Sequence, residues 1–139
     1  MKAKLATMIL SLTALSGWAQ SDSTTYKCKI VNDEYQVYMD INFYDNDILV
    51  PGQEIFGKIA GYFGDYKDSR KWLITDAQIE GKTAHLAITN DYGSEDLTAD
   101  LTVLKDGSYE LKQTEGSAIK IARNRKWVKI PKKLVFHKK

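Results

Sequence analysis

The densest cluster of groups able to do chemistry is the run Asn90-Asp91-Tyr92-Gly93-Ser94-Glu95-Asp96. Asp91, Glu95 and Asp96, with the Asn90 amide, are oxygen donors of the kind Ca²⁺ takes from flexible loops. The ligand spacing of an EF-hand is absent, and Asn, Asp, Gly and Ser also build plain turns. Tyr92 beside Gly93 supplies an aromatic anchor on adaptable backbone, the make-up of a recognition loop. The run is therefore expected to contact a macromolecular partner, and no metal is expected there.

Nucleophilic catalysis needs a Ser or Cys, a His base within hydrogen-bond reach and an acid that orients it. Cys28 falls on one strand face with Tyr26 and Ile30 and reads as a small buried hydrophobe. His85 alternates with Ala84 and Leu86 and faces outward, and His137 lies three residues from the C-terminus, where chains fray. No Cys/His pair has zinc spacing, and no glycine loop is built to cradle phosphate. A catalytic role and a cofactor are thus not expected.

A basic segment is the third chemical feature. From Gly116 to Lys139 there are nine Lys/Arg and no Asp/Glu. Arg123, Arg125, Lys126, Lys129, Lys132 and Lys133 surround Trp127, a pattern that suits a polyanionic envelope surface. Nucleic acid is not expected, because no base-reading motif accompanies the charge. The plainer reading places Val128 with Ile130, and Leu134 with Phe136, inward on closing strands and leaves the lysines as a solvated outer face.

The chain has 139 residues, with 20 Lys+Arg and 18 Asp+Glu. Lys2 and Lys4 precede an apolar run from Leu5 to Leu15, and Gly17-Trp18-Ala19 offers small residues at a cleavage site, the layout of a secretory signal peptide over 1–19. The two lysines account for the whole net charge of +2, so the remaining chain is neutral. Export to the periplasm or the exterior follows as the expectation, with no transmembrane span. The single cysteine has no partner for an intramolecular disulfide. Residues 20–139 must then fold as one domain on a hydrophobic core alone.

Alternation of apolar and polar residues dictates the elements. Tyr35, Val37, Met39, Ile41 and Phe43 share one face, as do Ala84, Leu86 and Ile88, then Leu97, Ala99, Leu101 and Val103. Tyr109 with Leu111 and Ile119 with Ile121 continue the series. Glu80-Gly81, Asp106-Gly107 and Glu115-Gly116 read as tight hairpin turns. Asp65 to Trp72 is expected to hold a helical turn, and Gly61 to Asp68 a loop whose Tyr62 and Phe63 cap or gate a barrel mouth.

The sum is an all-β fold, one antiparallel meander of about eight to nine short strands, with a small barrel favoured over a sandwich because the connections are short and sequential. Gly57, Gly61, Ala84 and Ala99 suit the taper of such a barrel. The meander resembles calycin-type barrels such as lipocalins and avidins in architecture. The Gly-x-Trp of a first lipocalin strand is missing, since Gly17-Trp18 lies in the leader. The expected function is a secreted, non-enzymatic binding protein that recognises a protein or envelope component through exposed loops, in an inhibitor, immunity-type or envelope-accessory role. One alternative is a carrier of a small apolar ligand, with Tyr35, Met39, Phe43 and Phe63 lining the pocket. The other is a polyanion or envelope-surface binder acting through the basic segment.

Overall fold

A computed structural model describes residues 24–139. The expected leader over 1–19, and residues 20–23 at the start of the expected domain, lie outside the described residues. Eight antiparallel strands close into a barrel. In chain order they are β1 (Lys27–Asn32), β2 (Val37–Asn42), β5 (Gly61–Asp65), β6 (Asp68–Glu80), β7 (Thr83–Asn90), β8 (Asp96–Val103), β9 (Tyr109–Gly116) and β12 (Lys133–Lys138). Each pairs with the barrel strand before it, and β12 returns to pair with β1, with Ile30 opposite Lys138. Closure leaves the barrel without an open edge, the outcome expected from short sequential connections. Among the described residues no helix is long and apolar enough to cross a membrane.

Two excursions depart from the meander. Strands β3 (Ile48–Leu49) and β4 (Lys58–Ile59) pair with each other between β2 and β5, around a 3₁₀ turn at Glu54–Phe56. Strands β10 (Lys120–Arg123) and β11 (Lys126–Lys129) form a separate ribbon between β9 and β12. Ile121 and Val128 therefore alternate in this ribbon and not in the barrel wall, whereas Leu134 and Phe136 do sit on the closing strand.

Period-two alternation holds where expected. Ile30, Met39, Ile41, Phe63, Ile74, Leu86, Ile88, Leu101, Leu111 and Phe136 are all buried inside. The lumen is filled: Tyr26 stacks on Phe43 with ring centroids 5.4 Å apart, and Phe63 meets Phe136 edge-on at 6.3 Å. An eight-stranded barrel is just wide enough for side chains to fill it. Two stretches break the alternation. Tyr62-Phe63 and Trp72-Leu73-Ile74 are buried without a gap, because the β3–β4 excursion lies over the outside of this wall. Val50 packs there on Tyr62 and Leu73, with Tyr38, Ile48 and Ile59 around them. Burial on both faces removes the polar half of the pattern.

Four expectations need correction. Asp65 to Trp72 holds no helix: a turn after Asp65 leads into β6, a strand of 13 residues. Gly61 to Asp65 is likewise strand β5 rather than a gating loop, and Gly61 packs on the backbone of Asp40 and Ile41. Gly57 lies outside the lumen, in the turn after the 3₁₀ segment at φ +71°.

Glu115-Gly116 is no hairpin turn either. Gly116 ends β9 opposite Leu97 at φ +92°, and a Cβ there would stand 2.8 Å from the Leu97 Cα and 2.5 Å from the Asp96 carbonyl oxygen. Gly81, in a true hairpin turn at φ +64°, has nothing within 4 Å of a built Cβ. Gly116→Ala combines left-handed strain with overpacking and is expected to destabilise by about 2–4 kcal/mol, against about 1 kcal/mol for Gly81→Ala. Urea unfolding midpoints of the two variants check the ranking.

Candidate functional site

The site lies at the rim of the barrel that carries the β1–β2 turn, the β5–β6 turn and the loop between β7 and β8. The loop is internally tied. Asn90 is buried, and its Oδ1 accepts hydrogen bonds from the backbone N–H of Ser94 at 2.9 Å and of Glu95 at 3.3 Å. Its Nδ2 donates to the Ser94 hydroxyl at 3.0 Å. An Asn side chain that satisfies the loop's own backbone is a structural tie, and it leaves little of the amide for a ligand. Asp91 Oδ2 accepts from the Lys71 N–H at 3.2 Å, so that carboxylate fastens the loop to β6. Gly93 takes φ +71°, and Tyr92 at the tip is 78% exposed. Asp96 opens β8 opposite Thr89. Among the described residues no group of three or more His, Cys, Asp or Glu converges as a metal ion would require.

The β10–β11 ribbon folds over this same rim, held by three polar anchors. At its root, Gln113 is buried, accepts the Ile119 N–H at 2.9 Å and donates to the Pro131 carbonyl at 3.3 Å. Along β10, the Trp72 indole N–H donates to the Lys120 carbonyl at 3.2 Å while Lys120 Nζ pairs with Glu95 at 2.8 Å. At its far end, Arg123 forms a two-pronged pair with Asp65, Nη1 to Oδ2 at 2.6 Å and Nη2 to Oδ1 at 2.8 Å, and also donates to the Tyr35 carbonyl at 2.7 Å. The Asp65 side chain is 4% exposed, so this pair is shielded from water. Asp65 in turn keeps the Arg123 guanidinium more firmly protonated than usual.

These anchors bring together two features far apart in sequence. A cleft of about 190 Å³ is lined by Tyr92, Asp91 and Glu95 from the loop and by Lys120 and Trp127 from the ribbon, with Arg70 of β6 between them. Trp127 is 60% exposed, and the Arg70 guanidinium lies over its ring at 5.0 Å from the centroid. A cation on an indole face is favourable even at an exposed site. Arg70 is also paired with Asp68 at 3.1 Å.

The remaining expected site residues are distributed as follows. Arg123 does not belong to an exposed basic surface, because its guanidinium is committed to Asp65 and Tyr35. Arg125, Lys126, Lys129, Lys132 and Lys133 are exposed. Met39, Phe43 and Phe63 are core residues inside the filled lumen, while Tyr35 is half-buried in the β1–β2 turn. Cys28 is half-buried, and burial pushes its thiol pKa up, away from the thiolate a nucleophile requires. His85 is exposed on β7, with Nδ1 at 2.7 Å from Asp100 and Nε2 at 3.3 Å from Glu80. Carboxylates at both ring nitrogens favour a cation over a base.

No known family model, curated protein or solved structure matches this chain. Its site must be read from its own residues. Arg70 and the ribbon were the parts hidden from sequence reasoning. The reading of 65–72 as a helical turn obscured the strand that places Arg70 at the rim. Gln113, a polar residue at an inward position of β9, was the one local signal that something lies across the barrel end.

Two measurements test this geometry. Asp65→Asn or Arg123→Met leaves a shielded group without its partner and is expected to destabilise by about 3 kcal/mol, with the double variant costing less than the two single effects combined. A double-mutant cycle in urea checks it. The His85 pKa is raised above 6.5, first by its hydrogen bond to Asp100. The resulting stabilisation is complete below the unfolded-state value and fades as pH rises through the folded one. An NMR titration of His85 should show that raised midpoint, and Asp100→Asn should bring it down.

Proposed function

We propose that this is an exported, non-enzymatic binding protein that engages a macromolecular partner on the envelope side through the Tyr92–Trp127 rim. The observation that carries the reading is the convergence of Tyr92, Arg70 and Trp127 on one cleft. Tyr, Trp and Arg are the residue types that concentrate binding energy at interfaces. Each is largely exposed, yet stands on a tied support: the loop on Asn90, Trp127 on the anchored ribbon. Side chains ordered before contact lose less entropy on binding. The cleft is smaller than the roughly 300 Å³ at which ordinary ligand pockets begin, and suits one inserted side chain better than a whole small molecule. The packed lumen supports this rim over a carrier cavity. Export rests on the leader pattern of residues 1–19 and places the partner outside the cytoplasm.

A photo-crosslinking residue at Tyr92 in the native host should capture one discrete macromolecule, while the same residue at Lys105, exposed at the opposite rim, should not. The captured chain should begin at Gln20. Tyr92→Ala and Trp127→Ala should each weaken the captured complex by about tenfold or more, near 2 kcal/mol, with unchanged thermal unfolding. Equal capture from both positions would remove the rim from the reading.

A further inference from the structure

The β3–β4 excursion does more than cover a wall. Its root is buried through Val50, but its tip carries Ile55 at 92% exposure and Phe56 at 47%. The tip is not a loose loop. Gln53 N–H donates to Val50 O at 3.0 Å, Phe56 N–H to Gln53 O at 3.1 Å and Gly57 N–H to Glu54 O at 2.9 Å. A turn held by its own backbone bonds thus presents two large apolar side chains to water, at a cost that burial of Ile55 would recover.

The tip is also continuous with the binding rim. Pro51, Gly52 and Gln53 line one surface cleft together with Arg70 and Tyr92, and Arg70 and Tyr92 line the next cleft together with Trp127. Of the eight large hydrophobic residues exposed among the described residues, Tyr92 and Trp127 line these clefts, and Leu49, Ile55 and Phe56 belong to the excursion that supplies Pro51, Gly52 and Gln53 to them. At the far end of this strip is the ribbon turn, where Asn124 and Arg125 take φ +53° and +64°. Glycine is the usual residue at the second of these positions, and an arginine there accepts left-handed strain while holding its charge outward.

The strip's charges are unevenly balanced. Asp68 is paired with Arg70 and Glu95 with Lys120, and Asp91 accepts the Lys71 N–H. A neutral amide donor does not cancel the Asp91 charge, so among the described residues Glu54 and Asp91 make no ion pair, and neither do the three cations Lys58, Arg125 and Lys126. The unpaired remainder is cationic, with Lys58 opposite Leu49 at the excursion and Arg125 and Lys126 at the ribbon tip. An apolar tip, a Tyr and a Trp along the adjoining clefts, and unpaired Lys/Arg at both ends make up the pattern of a protein that lies on an anionic bilayer: apolar side chains reach the acyl boundary, Trp and Tyr rings sit at headgroup level and cations meet lipid phosphates.

We propose that this strip docks on an anionic lipid surface, with Ile55 and Phe56 inserted and Trp127, Arg125 and Lys126 at the headgroups. This goes beyond the partner-binding reading, because it stands on the excursion tip, which that reading does not use. The test is co-sedimentation of the purified chain with vesicles of phosphatidylcholine alone and of phosphatidylcholine mixed with phosphatidylglycerol. Binding should appear with the mixed vesicles, weaken steeply as salt rises, and shift the Trp127 emission to the blue, a shift lost in Trp127→Phe. Ile55→Asp, at a position too exposed to affect folding, should lower the partition by about tenfold or more. Arg125→Glu with Lys126→Glu should lower it and flatten its salt dependence. Ile79→Asp, exposed at the end of β6 away from the rim, should leave it unchanged. Absence of binding to the mixed vesicles at low salt would overturn the proposal, as would binding indifferent to Ile55→Asp. Self-association abolished by Ile55→Asp without vesicle binding would also overturn it, assigning the strip to a second copy of the chain. If vesicles bind but Tyr92→Ala has no effect on the crosslinked complex, the lipid proposal stands and the partner-binding reading falls.

Discussion

The Arg123–Asp65 pair is the interaction on which the functional end of this barrel depends. Asp65 ends β5, in the barrel wall, and Arg123 ends β10, in a ribbon that shares no backbone ladder with any barrel strand. A two-stranded ribbon by itself is marginal in water. Two parallel hydrogen bonds to a shielded carboxylate, with a third donor on the Tyr35 carbonyl, fix both its position and its angle. An ion pair of this kind adds less to net stability than to uniqueness of geometry, since two ions must lose their water to form it. Here the geometry is what matters: it places Trp127 beside Tyr92, although the whole of β8, β9 and β10 lies between them along the chain.

The barrel supplies the rigidity that makes such placement useful. Its lumen is closed at the opposite rim by aromatic packing, with the Tyr26 hydroxyl donating to Lys82 O at 2.5 Å and to Leu101 O at 3.2 Å. At the functional rim, Ile119 and Ile121 from the ribbon complete the same core. The ribbon is therefore both lid and display surface: the inner face of β10 belongs to the core, and the exposed Trp127 on β11 belongs to the site. The β3–β4 excursion repeats this division on the wall, with Val50 buried and Ile55 bare. In both, buried side chains seat a short segment on the barrel while its other side chains stay exposed.

The barrel was legible in the sequence because its strands have one wet face. Leu97-Ala99-Leu101 and Ala84-Leu86-Ile88 announce themselves by alternation, and burial follows that alternation residue by residue. Legibility fails where a second layer covers the wall. Trp72-Leu73-Ile74 has no polar face, and Asp65 to Lys71 before it is rich in polar residues that suit a helix start as well as a strand edge. Gly116 misled for a related reason: a glycine after Glu reads as a turn, yet here it is the close approach of the β8 backbone that excludes a side chain. Of the site, Tyr92 and Trp127 stood out separately, as a loop tip and as an aromatic within a basic run. Their meeting was not legible, because it depends on which of 18 acidic residues Arg123 selects, and pair selection leaves no periodic trace.

That selection also explains the apparent charge conflict of the chain. An acidic body with a basic C-terminal segment suggests simple neutralisation within one molecule, and the ribbon partly conforms: Lys120 meets Glu95 and Arg123 meets Asp65. Both pairs lie on β10, the strand that faces the barrel. The neighbouring cations on β11 and its turn, Arg125, Lys126 and Lys129, have no acidic strand opposite them, since their cross-strand neighbours are Arg123 and Lys120. Pairing like charges across an antiparallel ribbon is unfavourable, and it persists because the β10 members are drawn inward to carboxylates. Internal neutralisation of one strand is thus what leaves the other strand's charge directed at solvent, next to the exposed ring of Trp127.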